Sequence, residues 1–374
     1  MTRRMGVEEE FLIVDGESGK PLPLGEVLEQ LSDFPRLTSE MKQEQIETCT
    51  LPRVTLAEIA DDITAGRKSA DSAARRAGAR AVALATSALP VESTIAPGER
   101  CAQLLERFAL SAVEQLTGGC HVHVEIESEE EGVAILDRIR IWLPVLLAIS
   151  ANSPYWNGVD SGYASYRWQA WSRWPTTGAA GIYGSAAAYH REIGQILSSG
   201  VPLDKANLYL DARLSHKHPT VEVRVADVCL FADDTVLLAA LVRGLAETAV
   251  RQWRDGVSAV PTSAAQLQLA SWRASRYGLQ GELADPITGK PRGAFEVVTA
   301  LLDHLRPVLE EQGEFNTVEF LLFQVLSRGT GAAVQRDSYA RGASTRDVVA
   351  EAVHFTCLPV TPLRAPTNIS RLTL

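Results

Sequence analysis

Thr220-Val221-Glu222-Val223-Arg224-Val225-Ala226-Asp227 is the stretch on which the reading of this chain turns. Side chains of a β-strand alternate between its two faces. Val221, Val223 and Val225 therefore belong to a buried face, and Glu222 and Arg224 share the other. In one reading that pair is a cross-face ion pair on a half-buried strand. In the other, Glu222 is a metal ligand and the Arg224 guanidinium fork meets phosphate oxygens. From about residue 231 onward the spacing predicts helices almost throughout: Asp233–Arg254, Ser263–Tyr277, Ala294–Glu311, Thr317–Ser327 and Thr345–His354. Residues up to about 230 alternate short strands with helices and loops. Strands grouped before helices predict an α+β fold with an antiparallel sheet.

Working outward, Leu208–Leu214 pairs with the decisive strand. Further strands are expected at Gly6–Val14, Glu44–Thr50, Ala81–Ala85 and Gly119–Glu127. Helices are expected at Leu56 to about Arg80, at Glu99–Leu116 and at Glu129–Ser150. Ala151–Gly184, rich in Gly, Pro, Ser and aromatics, reads as one long loop, and a loop of that length in a compact domain is usually functional. No internal repeat or low-complexity linker divides the chain, so residues 1–374 read as a single catalytic domain, strand-rich to about 230 and helical from about 231.

Two more strands carry polar groups on one face. In Gly6-Val7-Glu8-Glu9-Glu10-Phe11, Glu8 and Glu10 point one way, and Val7, Glu9 and Phe11 the other. Two carboxylates roughly 6 Å apart repel by about 3 kcal/mol at an effective dielectric of about 20. That cost is wasted unless solvent or a cation screens it, and a solvated edge strand fits as well. In Cys120-His121-Val122-His123-Val124-Glu125, His121, His123 and Glu125 share a face. Imidazole and carboxylate are both metal-ligand types, yet a His-x-His alone also suits a structural strand or a redox metal. Glu40 and Glu47 are unremarkable singly. Together these acids form an oxygen-rich set with one or two imidazoles, the donor chemistry of Mg²⁺ or Mn²⁺. Cations beside an arginine suit phosphoryl transfer. Neither GxxxxGK[ST] nor GxGxxG occurs, so a nucleotide would be held by metals on a sheet face. The loop sequence Tyr155-Trp156…Tyr166-Arg167…Trp171-Ser172-Arg173-Trp174 reads as a substrate pocket, with Arg167 or Arg173 gripping a carboxylate, or as a packed structural loop.

The chain carries a formal net charge of -10, which argues against nucleic-acid binding. Its 5 cysteines form no CxxC pair and fit free thiols in a reducing cytoplasm. The charged stretch Met1–Glu10 is no signal peptide. Ile139–Ala151, the longest apolar run, is broken by Arg140 and Pro144 and too short for a bilayer.

GVEEEF, GCHVHVEI, ANSPYWNGVDSGYASYR with its WPT ending, and TVEVRVADVCL together resemble the bacterial carboxylate–amine ligases of the type 2 glutamate–cysteine ligase family. The resemblance covers nearly the whole chain, including WRASRYG and GAAVQR. It implies the catalytic fold of glutamine synthetase: a curved antiparallel sheet that binds metals and ATP on its concave face, with helices around it. It implies metal roles for Glu8, Glu10, Glu40, Glu47, His121 and Glu222, with His123 less firmly placed. Arg224 would contact phosphate, Arg167 a substrate carboxylate or phosphate, and Arg336 of GAAVQR the nucleotide. The implied chemistry is ATP- and Mg²⁺-dependent (Mn²⁺ as the alternative) ligation of glutamate to cysteine or another amine through an acyl phosphate. The implied assembly is a homo-oligomer, a dimer as first expectation. Cys120 stands where the family usually has methionine, and Leu51 where proline often follows the Glu47 motif. A separate class, an iron or zinc oxygenase or hydrolase built on His121, His123 and a carboxylate, would leave Arg224 without a role.

Overall fold

The computed structural model describes residues 2–363. Its main sheet has seven strands: β1 (Met5–Asp15), β2 (Leu37–Ser39), β3 (Gln45–Cys49), β4 (Ala79–Val82), β5 (Gly119–Glu125) and, beyond the hairpin β6 (Tyr155–Trp156) and β7 (Val159–Asp160), β8 (Ala212–Leu214) and β9 (Thr220–Asp227). The order is β2-β3-β1-β5-β9-β8, with β4 pairing the second half of β1, and all pairs are antiparallel. The α+β architecture expected from the sequence is the one observed.

One face of this sheet is apolar. Val7, Val122, Val124, Val221, Val223 and Val225 are buried there with the helix Ala232–Arg254 and the helix Leu56–Arg76. Each such side chain contributes about 1.5–3 kcal/mol by leaving water. Glu9 faces the same side, where Arg67 Nη2 and Nε donate to it at 2.6 and 3.1 Å and Thr235 Oγ1 at 2.7 Å. This buried ion pair ties β1 to both helices. The Leu56–Arg76 helix opens with a capping box, Thr55 with Glu58. It ends four residues before the expected Arg80, because Gly78 turns the chain at φ 73° into β4.

Other boundaries also differ. The expected helix Glu99–Leu116 is two, Glu99–Phe108 and Leu110–Glu114, broken where Ala109 adopts φ 46°. Glu129–Ser150 is likewise two, Glu129–Ile139 and Leu143–Ser150, with Pro144 placed in the first turn of the second, where its missing N–H costs nothing. The presumed loop 151–184 holds the β6–β7 hairpin, turned by Asn157 and Gly158 at φ 49° and 87°, and the helix Tyr166–Trp171. The part beyond 231 is not wholly helical: β10 (Glu282–Ala284) and β11 (Pro291–Gly293) form a hairpin. Among the described residues no helix is long and apolar enough to cross a membrane.

Candidate active site

The polar face of the sheet collects its acids by register. Glu10 of β1 stands opposite Glu47 of β3, and Glu8 stands between Cys49 of β3 and His121 of β5. His123 stands opposite Glu222 of β9, which faces Arg213 of β8. Glu40, just beyond β2, completes the row. A bulge between Cys120 and Val122 takes His121 out of the β5–β9 ladder, a device that re-aims a side chain. His121 Nδ1 lies 3.1 Å from Glu8 Oε2, and His123 Nε2 3.3 Å from Glu8 Oε1. The Gly119 N–H donates to Glu10 at 2.6 Å.

Burial pushes Glu8 upward, but hydrogen bonds from His121 and His123 outweigh it and hold the carboxyl far below its usual range. Glu222 is likewise lowered, since Arg224 and Arg213 outweigh burial. Arg213 grips it at 2.9 and 3.2 Å, and Arg224 is in direct contact with it. Glu40 and Glu47 go the other way. Burial and then the Glu10 charge push Glu40 up to about 7; burial and the Glu40 charge raise Glu47 well above its ordinary value. Burial, then the Arg224 charge, lowers His121 below its ordinary value, with Glu8 and Glu10 opposing.

Three sets of three ligand atoms each fall within 4.8 Å: Glu10–Glu40–Glu47, Glu8–Glu47–His121 and Glu8–His123–Glu222. Glu8 and Glu47 each belong to two sets, so the sets form one continuous row. The buried Nε2 of His121 has no hydrogen-bond partner among the described residues, and that of His123 faces only the Glu8 carboxylate, at 3.3 Å. Such an orphaned atom beside mutually repelling carboxylates fits divalent cations, and the excess of oxygen donors fits hard ones.

All six acid and histidine positions expected as metal ligands therefore meet on one face. Arg224 joins them. Arg167 arrives from the helix Tyr166–Trp171 and lies against Gly119, where any side chain would collide with its guanidinium and come within 3.0 Å of His121 Nε2. Arg336 is not brought there: its fork is spent on Asp160 at 2.6 and 2.9 Å and on the Tyr163 carbonyl. The site also includes His123, whose face-sharing with His121 was visible in the sequence, and Arg213, which only strand register reveals. Cys49 lies 3.3 Å from Glu47. At the Glu8–His123 end opens a cavity of about 380 Å³ walled by Met5, Val7, Pro52 and Pro219.

The family model described as glutamate–cysteine ligase family 2 (GCS2) matches residues 4–355. The chain belongs to that family. It is accordingly an ATP-dependent carboxylate–amine ligase. A relative from Paenarthrobacter aurescens, provisionally named glutamate–cysteine ligase 2-1, is 47% identical over 364 residues, 95% of each chain. One from Streptomyces avermitilis, of the same provisional name, is 46% identical over 359 residues, covering 95% of this chain and 99% of the relative. Two solved structures share the fold at 14% identity. A bifunctional glutathione synthetase from Pasteurella multocida has a TM-score of 0.70 over 95% of this chain and 52% of that one. A glutamate–cysteine ligase from Francisella tularensis, in complex with AMP, has a TM-score of 0.64 over 98% and 90%.

Proposed function

We propose that this ligase joins the side-chain carboxylate of glutamate to the amine of cysteine through an acyl phosphate. One observation carries the reading: Glu8, Glu10, Glu40, Glu47, Glu222, His121 and His123 converge on one sheet face with Arg224 among them and Arg167 at its edge. Glu8, Glu10, Glu40, Glu47, His121 and Glu222 would hold Mg²⁺ or Mn²⁺, which supplies charge neutralisation to the triphosphate oxygens. The apolar cavity beside Glu8 and His123 suits the base and ribose end of the nucleotide.

In the first step an oxygen of the substrate carboxylate bonds to the γ-phosphorus. The bond from that phosphorus to the bridging oxygen breaks, and ADP leaves. In the second, the amine nitrogen bonds to the acyl carbon, phosphate departs with the C–O electron pair, and the nitrogen loses a proton. Arg224 would offset charge on the transferring phosphoryl group, and Arg167 would hold a carboxylate. Trp171, Trp174 and Tyr209 form an aromatic cluster, with ring centroids 4.8 Å (Trp171–Tyr209) and 5.3 Å (Trp174–Tyr209) apart and the Arg167 guanidinium 5.6 Å from the Trp171 ring, and would help to exclude water beside Arg167. No enzyme nucleophile is needed. We further infer that the strand-rich and helical parts act as one catalytic unit and that the chain assembles as a homodimer, which light scattering of the purified protein measures.

The test incubates the protein with Mg²⁺, ATP, glutamate and a panel of amines. ADP release that needs both glutamate and cysteine, with γ-glutamylcysteine seen by mass spectrometry, is the expected result. ADP at background with every amine, alongside an iron-dependent activity, would sink the reading. Release with another amine alone would move the acceptor.

A further inference from the structure

Two buried groups of opposite charge are left under-bonded where the helix Tyr166–Trp171 meets β9 and its neighbour β8. Arg167 is 2% exposed, yet its Nε has no partner among the described residues, and its remaining N–H groups reach the Val225 and Arg224 carbonyls only at 3.4 Å. Its distance to Asp227 is 4.0 Å. Asp227 does not depend on it, because Ser153, Ser165 and the Asn152 N–H already donate to that carboxylate at 2.7–2.8 Å.

Asp211 is the counterpart. It is 5% exposed and immediately precedes β8. Its backbone is pinned on both sides: its N–H donates to the Gly178 carbonyl at 3.1 Å, and its carbonyl accepts from the Arg224 N–H at 2.8 Å. Its carboxylate accepts no hydrogen bond from any described residue, and no ion pair joins it to Arg167. Burial pushes this carboxyl up to about 7, the Arg167 charge opposing, and burial lowers Arg167 too. A buried charge with too few partners is costly unless a ligand completes its bonding. A plain carboxylate would complete only Arg167. A ligand carrying both signs on one carbon completes both.

We propose that Arg167 and Asp211 receive the two ends of an α-amino-acid zwitterion, the α-carboxylate of the activated amino acid on Arg167 and its α-ammonium on Asp211. This rests on the ligase reading and adds a specificity determinant to it: the carboxylate substrate is recognised as an amino acid, not merely as a dicarboxylate.

The experiment compares glutamate with glutarate, which lacks the ammonium group, by ADP release in the wild type, Asp211→Asn and Asp211→Glu. The wild type is expected to prefer glutamate by roughly 10–100-fold in kcat/KM, the worth of one hydrogen bond to a charged group. Asp211→Asn is expected to collapse that ratio toward one, chiefly through the KM for glutamate, and Asp211→Glu to restore part of it. An unchanged ratio in Asp211→Asn overturns the proposal. So does a wild type that takes glutarate as readily as glutamate, a result that stands even where the variants fail to fold. ADP release absent with every carboxylate would instead sink the ligase reading. Calorimetric titration of glutamate and glutarate into the protein with Mg²⁺ and ADP then still decides Asp211, since equal binding of the two overturns it.

Discussion

Glu9 and its neighbours Glu8 and Glu10 are the same residue type on one strand, and their fates are opposite. Glu9 lies on the apolar side, where Arg67 and Thr235 supply three donors to one carboxylate. Glu8 and Glu10 lie on the other side with Glu40, Glu47 and Glu222, where carboxylates crowd one another and His121 Nε2 has no partner among the described residues. A satisfied buried charge holds elements together. A row in which carboxylates face one another, as Glu40 and Glu47 face Glu10, stores repulsion that a bound cation relieves, and that is the difference between a structural and a functional acid.

Glu9→Gln should sharpen the contrast most. It leaves Arg67 without its counter-charge and should cost about 3–5 kcal/mol of stability, read by denaturant unfolding. A loss under about 1 kcal/mol would mean the pair is not the tie proposed. Glu8→Gln should instead leave the melting temperature near wild type and cut turnover by on the order of 10²–10³-fold; Glu222→Gln should cut turnover as much but also lower stability, since it takes the shared counter-charge from Arg213 and Arg224. Wild-type rates in both at limiting Mg²⁺ would reject the ligand assignments.

Proton linkage gives a third probe. Without a cation, Glu40 titrates near 7, and cations bind only the ionised form, so Mn²⁺ affinity should weaken as pH falls below about 7, by up to roughly tenfold per unit. The sign reverses for the metal-free fold. A carboxyl raised from 4.5 to about 7 costs nothing below its ordinary value, and its full penalty is present above about 7. Mn²⁺ affinity that is flat between pH 6 and 8 by calorimetry would contradict both. The smallest effect is a gain: at pH 8, Glu40→Gln should stabilise the metal-free protein by about 1 kcal/mol by removing one repelling charge, while Mg²⁺ should raise its melting temperature less than it raises that of the wild type.

Much of this was legible because strands alternate. The faces of Gly6–Phe11, Cys120–Glu125 and Thr220–Asp227 follow from period two, and they place Glu8, Glu10, His121, Glu222 and Arg224 together. What alternation cannot supply is register and everything off the ladder. Arg213 enters the site only because β8 pairs Arg213 with Glu222. Glu40 sits past the end of β2, and Asp211 shows itself only as a carboxylate without hydrogen-bond partners among the described residues. Arg336 lay in a motif, yet its fork closes on Asp160, a pairing across 176 positions that no local pattern encodes. The Asn157-Gly158 turn was readable from composition and was missed because the aromatics around it suggested a loop.

The order of strands also sets when catalysis can first exist during synthesis. β1 at Met5–Asp15 waits for β5 at Gly119–Glu125, and β5 waits for β9 at Thr220–Asp227. A growing chain short of β9 therefore carries an open sheet edge and a half-built, repulsive acid row. Such edges invite pairing with other chains, so the acid row is completed, and that edge covered, only once β9 has been made and has paired with β5.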